Sequence, residues 1–249
     1  MASPVTRVAN KHADSFPIPG NLGDIPILYE DEDEGDMGES NPHSVTDQIL
    51  FVCVEAHLAG RPKYRVFSNL NLYYRLGPPH PRTGSLPYVS PDIMVVVPFR
   101  NMGDEVSSYT IGKDGPAPLS VTEILSERSA QQRDLKEKVV LYSELGVGEY
   151  ILIDPTGEFL PERLLLKRLQ PDGTYNNEKD ADGGVTSCLG FRLIFGEDGQ
   201  IRVLHASTGT PYVRPDEAQQ KIRRLEAEVK QLKRLLNKQR KPKKKKKEK

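Results

Sequence analysis

The sequence predicts a domain of the α/β (α+β) class that is followed by a C-terminal coiled-coil helix. Three observations carry this prediction. The run Ile93–Val97 is apolar without interruption, which is typical of a strand covered on both faces. Residues 129–145 repeat apolar side chains at helical spacing, and residues 215–241 show a heptad repeat. Strands, helices and one long terminal helix along the same chain indicate a mixed domain with a helical appendage.

The composition excludes several classes of protein. The chain has 249 residues, of which 37% are hydrophobic, enough for one domain with a core. No apolar run approaches the roughly 18 residues that cross a bilayer, and the N-terminus does not resemble a secretory signal. Two cysteines, Cys53 and Cys188, are too few for a disulfide framework or a four-cysteine zinc site. We expect both to be buried thiols in a reducing cytoplasm.

The formal net charge of zero hides a division along the chain. Residues 221–249 carry 15 Lys and Arg against 3 Glu, and seven of the ten residues 30–39 are acidic. Such asymmetry indicates segments with separate roles. We predict an irregular acidic N-terminal arm (1–36), a folded domain (37–212), a coiled-coil helix (215–241) and a basic disordered tail (242–249).

The basic tail has three possible roles. The run Lys243, Lys244, Lys245, Lys246, Lys247 could bind nucleic acid by releasing counterions from phosphates. It could instead keep the chain in solution, or pair with the acidic stretch Glu30–Glu39. We favour contact with nucleic acid.

The elements between arm and tail follow from apolar spacing and from glycine and proline. A helix is expected from about His43 to Gly60, where Gly-Arg-Pro ends it. A second helix is expected over Ser129–Leu145, with Gly146 as its C-cap. Residues 101–118 are expected to form a polar loop. Strands are expected at Tyr64–Phe67, Leu70–Leu76, Tyr88–Pro98, Leu119–Leu125 and Glu149–Asp154, followed by antiparallel hairpins.

Two acidic residues stand where strands are expected to be buried. Asp92 begins the strand with Ile93–Val97, and Glu123 lies inside Val121–Leu125. An ionised carboxylate in an apolar strand is costly unless it is paired, and two neighbouring carboxylates raise each other's pKa. A divalent cation between them removes both costs, and hard oxygen ligands favour Mg²⁺ or Mn²⁺.

A lysine near such a cation would stabilise the charge that develops on a phosphate under attack. Lys138 is placed for this role, because Asp134, Lys138 and Tyr142 lie along one stripe of a helix. Lys136 is the competing candidate. It lies about 200° from Lys138 around an α-helix, so only one of the two can face the site.

Each of these residues also has an ordinary structural interpretation. Asp92 could be a solvated residue at the start of a strand after Pro91. Lys138 could be a surface lysine that pairs with Asp134. The ordered set of acid, acid and lysine is what favours a metal site.

Five pieces in order resemble the Uma-type restriction endonuclease family of the PD-(D/E)XK nuclease superfamily. They are Pro91-Asp92-Ile-Met-Val-Val, Glu123-Ile-Leu-Ser126, Arg133-Asp134-Leu-Lys-Glu-Lys138, Leu141-Tyr142 and Gly146-Val-Gly-Glu-Tyr-Ile-Leu-Ile-Asp154-Pro155. Residues Met37–His43 also resemble the start of that family's first helix. The resemblance covers roughly residues 37–210.

The resemblance implies a restriction-endonuclease-like fold, a mixed sheet flanked by helices, and Mg²⁺-dependent phosphodiester cleavage. By position, Asp92 and Glu123 resemble the metal ligands and Lys138 the catalytic lysine. The supporting residues that it implies are Glu39, His43, Ser126, Asp134 and Tyr142. The sequence departs from the superfamily pattern at Leu125, where the general motif has lysine, so the lysine must come from the following helix.

The last helix carries a dimerisation pattern. Its a positions are Ile222, Val229 and Leu236, and its d positions include Leu225 and Leu232. Mostly β-branched a with leucine at d favours a parallel two-stranded coil, and hence a homodimer. The function that we predict is Mg²⁺-dependent endonuclease action on nucleic acid, with DNA as the favoured substrate. The rival is a catalytically inactive nuclease-fold protein that acts as a nucleic-acid-binding or protein-interaction scaffold.

Overall fold

The computed structural model describes residues 40–79, 84–103, 105–126 and 130–240. Some sequence predictions fall outside this part of the chain: the arm 1–36, Glu39 and the tail Lys243–Lys247. Within it there are three α-helices, one π-helical segment and twelve strands.

The helices are α1 (Asn41–Leu58), a π-helical segment (Ala130–Glu137) that continues directly into α2 (Lys138–Leu145), and α3 (Pro215–Arg240). The strands are β1 (Arg65–Ser68), β2 (Asn71–Tyr73), β3 (Tyr88–Val89), β4 (Ile93–Val96), β5 (Ser108–Thr110), β6 (Ser120–Ile124), β7 (Glu149–Ile153), β8 (Leu164–Leu169), β9 (Tyr175–Glu178), β10 (Val185–Thr186), β11 (Phe191–Phe195) and β12 (Ile201–His205).

A mixed sheet of six strands forms the centre of the molecule, in the order β1-β4-β6-β7-β8-β9. Strands β6 and β7 are parallel, and every other neighbouring pair is antiparallel. Every residue of β4, β6 and β7 is buried. Burial on both faces is what the uninterrupted apolar run in β4 predicts.

The two faces of this sheet are covered by different elements. Ile93 and Val95 pack with α1 and with the antiparallel sheet β10-β11-β12. Met94 and Val96 point to the opposite face, where they pack with α2 and with the small sheet β3-β2-β5. Side chains alternate between faces along a strand, so one strand serves both halves of the core. The result is the mixed α+β arrangement that the sequence predicts.

The boundaries of several elements differ from the sequence prediction. Helix α1 begins at Asn41 rather than near His43, because Pro42 lies in the first turn, where no backbone N–H is needed. The single strand expected over Tyr88–Pro98 is two strands, β3 and β4, which belong to different sheets. The segment between them holds Pro91 and Asp92.

Two local predictions are wrong for physical reasons. The expected polar loop at 101–118 contains β5, which pairs in parallel with β2. Strand β5 has three residues, too few to show a periodic pattern of apolar side chains. Its partner strand, β2, lies far earlier in the sequence. Cys53 is buried as expected, but Cys188 is exposed, because it lies in the turn that connects β10 to β11. No helix in the described residues has the length and apolarity needed to cross a membrane.

Candidate active site

The register between β4 and β6 brings Asp92 and Glu123 to the same place. Ile93 pairs with Thr122 in this antiparallel ladder, and continuing the register by one residue sets Asp92 opposite Glu123. Residues directly opposite in an antiparallel pair project from the same face of the sheet. A hydrogen bond of 2.6 Å, donated by the backbone N–H of Ile124 to Oδ2 of Asp92, fixes the aspartate there. The two acids predicted from sequence are therefore neighbours.

The second oxygen of Asp92 faces helix α1. Nε2 of His43 lies 3.3 Å from Oδ1 of Asp92, and both side chains are buried. His43 stands in the first turn of α1, and this helix packs against β1, β4 and β6 of the central sheet. The structure thus brings His43, one of the predicted supporting residues, into contact with one of the predicted metal ligands.

Glu123 is held from the other side by α2. The hydroxyl of Tyr142 donates a hydrogen bond of 2.7 Å to Oε1 of Glu123. Nζ of Lys138 lies 3.0 Å from Oε2 of Glu123 and 3.1 Å from Oδ1 of Asp134. Lys138 is only 5% exposed, which is unusual for a lysine without charged partners. Two acids, one lysine and one tyrosine therefore form a single buried network.

The helix register decides between the two candidate lysines. Lys138 contacts Glu123, whereas Lys136 is exposed on the other side of the same segment. The predicted stripe of Asp134, Lys138 and Tyr142 is the face that meets the central sheet.

The helix itself differs in form from the prediction. The sequence predicts one α-helix over Ser129–Leu145, but its first part, Ala130–Glu137, is π-helical. Hydrogen bonds from residue i to i+5 are rare, and helical turns that contain them are frequently found at functional sites. No propensity scale signals such a segment in advance. Asp134 lies in this π-helical part and Lys138 begins α2.

The surroundings of Glu123 make its ionised form costly. Burial raises the pKa of Glu123 to about 8, Lys138 opposes this, and the nearby carboxylates of Asp92 and Asp134 add to it. An additional positive charge placed beside Glu123 would therefore stabilise the ionised form of its carboxyl group.

Sequence reasoning missed one residue that supports this network. Tyr150, in β7, donates a hydrogen bond of 2.9 Å from its hydroxyl to the backbone carbonyl of Asp134. Its ring packs edge-on against Tyr142, with the ring centroids 4.9 Å apart. The sequence does contain one signal for this role, a tyrosine in a strand that is buried throughout. The hydroxyl of a buried tyrosine needs a hydrogen-bond partner, so its presence there indicates a polar contact.

Two further buried acids have a different character. Glu149 forms an ion pair with Arg168 and accepts hydrogen bonds from Ser187 Oγ and the backbone of Cys188. Asp154 accepts hydrogen bonds from several backbone N–H groups of the turn that follows it. Burial alone would raise the pKa of Asp154, but these hydrogen bonds outweigh it and lower the pKa. Both carboxylates organise loops, so they do not compete with Asp92 and Glu123 for a role in a cation site.

The donor set fits a hard divalent cation. Among the described residues, no group of three or more His, Cys, Asp and Glu is arranged to hold a metal ion. Mg²⁺ is commonly bound by only one or two carboxylates, with water and substrate phosphate as the other ligands. Asp92 and Glu123 supply two such carboxylates. Burial first, and the neighbouring carboxylates of Asp92 and Asp134 after it, raise the pKa of Glu123, and a cation beside it would favour the ionised form. Ser126, half-buried just after β6, is the next polar residue along the chain.

Comparison with known proteins identifies the class of protein to which this chain belongs. A family model named Uma2 and described as "Putative restriction endonuclease" matches residues 32–192, more than half of the chain. The chain therefore belongs to the Uma2 family, which confirms the resemblance seen in the sequence.

Solved structures are also similar to the chain. One of them is described as a "putative nuclease belonging to DUF820" from Anabaena variabilis ATCC 29413. It is 18% identical, the match covers 59% of this chain and 72% of that chain, and the TM-score is 0.44. No curated protein matches the chain.

Proposed function

We propose that this protein is a Mg²⁺-dependent endonuclease that hydrolyses phosphodiester bonds of nucleic acid, with DNA as its substrate. The observation that supports this function is the convergence of Asp92, Glu123 and Lys138 at one end of the central sheet. Two hard carboxylates beside a buried ammonium group form a minimal site for phosphate chemistry. Membership of the Uma2 family agrees with it.

Asp92 and Glu123 would hold the cation, and the chemistry that it would supply when bound is polarisation of the scissile phosphate and a lowered pKa of a water molecule. Lys138 then places its ammonium group beside the negative charge that develops on the phosphate oxygens. Its contact with Asp134 holds the lysine chain in one position. Asp134 in turn is held through its backbone by the hydroxyl of Tyr150.

Two further residues orient the ligands. His43 lies against Oδ1 of Asp92, and Tyr142 donates to Oε1 of Glu123. Hydrogen bonds from outside the ligand set fix the direction in which a carboxylate presents its oxygen atoms. We propose the same supporting role for Ser126 and Glu39, which the family resemblance implies.

The test is a cleavage assay on plasmid, single-stranded DNA and RNA with Mg²⁺ or Mn²⁺. We expect Asp92→Asn, Glu123→Gln and Lys138→Met each to lower the rate at least about a hundredfold. Lys136→Met is the matched control, because it removes the same charge from the exposed side of the same segment. Full activity in Asp92→Asn, or equal loss in Lys136→Met, would contradict the proposal.

A second candidate is favoured by the contacts that the site already makes. Each carboxylate oxygen of Asp92 and Glu123 has a partner within the protein. This closed network would suit an inactive nuclease fold that serves as a scaffold and binds nucleic acid through Lys243–Lys247. That protein would show salt-sensitive binding without metal-dependent turnover. The assay above separates the two candidates.

We also propose that the protein acts as a homodimer through α3. Cleavage of both strands of a duplex requires two sites or two encounters, and two copies of one chain supply the former. The heptad pattern of Ile222–Leu236 supports this assembly.

A further inference from the structure

Helix α3 presents an apolar stripe to solvent. The large hydrophobic side chains along it are each between 47% and 64% exposed. They are Ile222, Leu225, Val229, Leu232, Leu235 and Leu236. An apolar stripe does not stabilise a helix that stands alone in water. Contiguous exposed apolar surface of this kind is typical of an interaction site.

The start of α3 is fixed to the domain. Nη2 of Arg214, just before the helix, lies 2.7 Å from Oδ2 of Asp198, and Glu217 in the first turn forms an ion pair with Arg202. The backbone N–H of Arg214 also donates to Oε2 of Glu217 over 3.1 Å. The helix therefore leaves the domain in a set direction, with its apolar stripe beyond the anchored turn.

The charges that flank the stripe identify its occupant as a second copy of the same helix. With Ile222 and Val229 at a, Lys221 and Glu228 fall at g, and Glu226 and Lys233 fall at e. In a parallel coiled coil a g residue faces the e residue five positions further along the partner. Lys221 then faces Glu226 of the partner, and Glu228 faces Lys233 of the partner.

The antiparallel registers do not combine this complementarity with a complete apolar seam. If Val229 packs against the partner's Leu225, the two copies of Glu226 lie nearest each other, and so do the two copies of Glu228. Like charges at these positions disfavour that pairing.

The other antiparallel register packs Val229 against the partner's Leu232. Glu226 then lies near the partner's Lys233, but Ile222 faces a glutamine, Gln239 of the partner. Of these pairings, the parallel in-register one combines opposite charges with apolar contacts at every a and d position from Ile222 to Leu236.

We propose that two copies of α3 form a parallel, in-register coiled coil. This inference rests on the proposed homodimer but not on catalysis. Because each α3 leaves its domain at the helix N-terminus, a parallel coil sets both domains at the same end. An antiparallel coil of 26 residues would separate them by about 39 Å along its axis. The parallel form allows two copies of the candidate site to reach one nucleic acid molecule.

Disulfide trapping on the full chain tests the direction of the coil. In a Cys188→Ser background, which removes the exposed native thiol, Ile222→Cys should cross-link to its own copy on mild oxidation. In the antiparallel register with Val229 on the partner's Leu225, Ile222 faces Leu232. In either antiparallel register the two copies of Ile222 lie at least about 15 Å apart, too far for a disulfide. A tagged Ile222→Cys chain mixed with Leu232→Cys would then give the covalent dimer instead. That result, or a monomer of 27.9 kDa under all conditions, would overturn the proposal.

Charge exchange gives an independent readout by sedimentation velocity. Glu228→Lys and Lys233→Glu should each raise the dissociation constant of the dimer at least about threefold, because each sets like charges in facing positions. An equimolar mixture should restore association, since opposite charges then face each other. Arg234→Glu, at the outward-facing f position, is the control and should leave the dissociation constant of the dimer unchanged. Failure of these tests would leave the cleavage assay unaffected, and failure of the cleavage assay would leave the dimer intact.

Discussion

The carboxyl group of Glu123 makes the stability of the protein depend on pH. Its pKa is about 8 in the folded chain, because of burial and the neighbouring carboxylates, against 4.5 for the ordinary group. The folded state therefore binds this proton more tightly than the unfolded state does. Its contribution to stability is complete below about pH 4.5 and is lost as the pH rises towards about 8.

Replacement of Glu123 by Gln removes this dependence. We expect the free energy of unfolding of Glu123→Gln, relative to the wild type, to rise between about pH 5 and about pH 8.5. Urea unfolding without added metal measures it at both values. Parallel pH curves for the two proteins would show that the carboxyl group is not held in the way described.

Tyr150 positions the network without touching a reacting group. Tyr150→Phe removes the donor to the buried carbonyl of Asp134, so we expect a loss of about 1–2 kcal/mol of stability. We also expect slower cleavage with little change in the apparent affinity for substrate. Chemical denaturation and steady-state kinetics test the two effects. Tyr64→Phe, at a half-buried tyrosine far from the network, should change neither.

Among the elements, α1 is fastened to the hairpin region by His57. Its Nε2 donates a hydrogen bond of 2.9 Å to the carbonyl of Leu189, and its Nδ1 accepts one of 2.7 Å from the hydroxyl of Tyr212. Burial lowers the pKa of His57 below its ordinary value of 6.5. The neutral ring is thus the form that the fold accommodates.

Acid should weaken this attachment. A lowered pKa means that the stability contributed by His57 is present above about pH 6.5 and is lost as the pH falls below it. We expect the wild type to lose stability between about pH 7 and about pH 5 more steeply than His57→Gln. Thermal unfolding followed by circular dichroism at the two values provides the comparison. An identical slope in both proteins would contradict the role assigned to the ring.

Strands β6 and β7 approach closely at Gly148. A Cβ atom at this position would lie 2.8 Å from the carbonyl oxygen of Leu119. Gly148→Ala should therefore force the two parallel strands apart and cost about 1–3 kcal/mol in unfolding free energy, measured in urea. Because Glu123 lies on β6, we expect slower cleavage as well. An unchanged midpoint of urea unfolding would mean that the backbone around Gly148 moves to accept the methyl group without loss of stability.

At the scale of the whole molecule, we expect the domain and α3 to have separable roles. A chain that ends at Gln220 keeps the contacts of Glu217 with Arg202 and Arg214 but loses the heptad stripe. We expect this truncated protein to be monomeric, to unfold with the same midpoint at low concentration, and to cleave more slowly without losing activity. Sedimentation and the plasmid assay measure the outcome. Complete loss of turnover in a folded monomer would instead indicate that the active site requires the dimer.

The two predicted acids illustrate what a sequence can specify. Asp92 and Glu123 stood out because an ionised carboxylate in an apolar strand needs a compensating partner, and this holds before any fold is known. The heptad pattern of α3 and the buried strands β4, β6 and β7 were likewise readable from local periodicity. The resemblance to the family rests on five motifs in order along the sequence rather than on one residue.

Other features depended on contacts between distant parts of the chain. The pairing of β5 with β2, the π-helical start of the site helix and the bond from Tyr150 to Asp134 have no local signal. The choice of Lys138 over Lys136 required the actual helix register. By itself the sequence determined which side chains are too costly to bury alone. Only the tertiary structure decided which groups meet them, because partners are set by strand register and helix rotation.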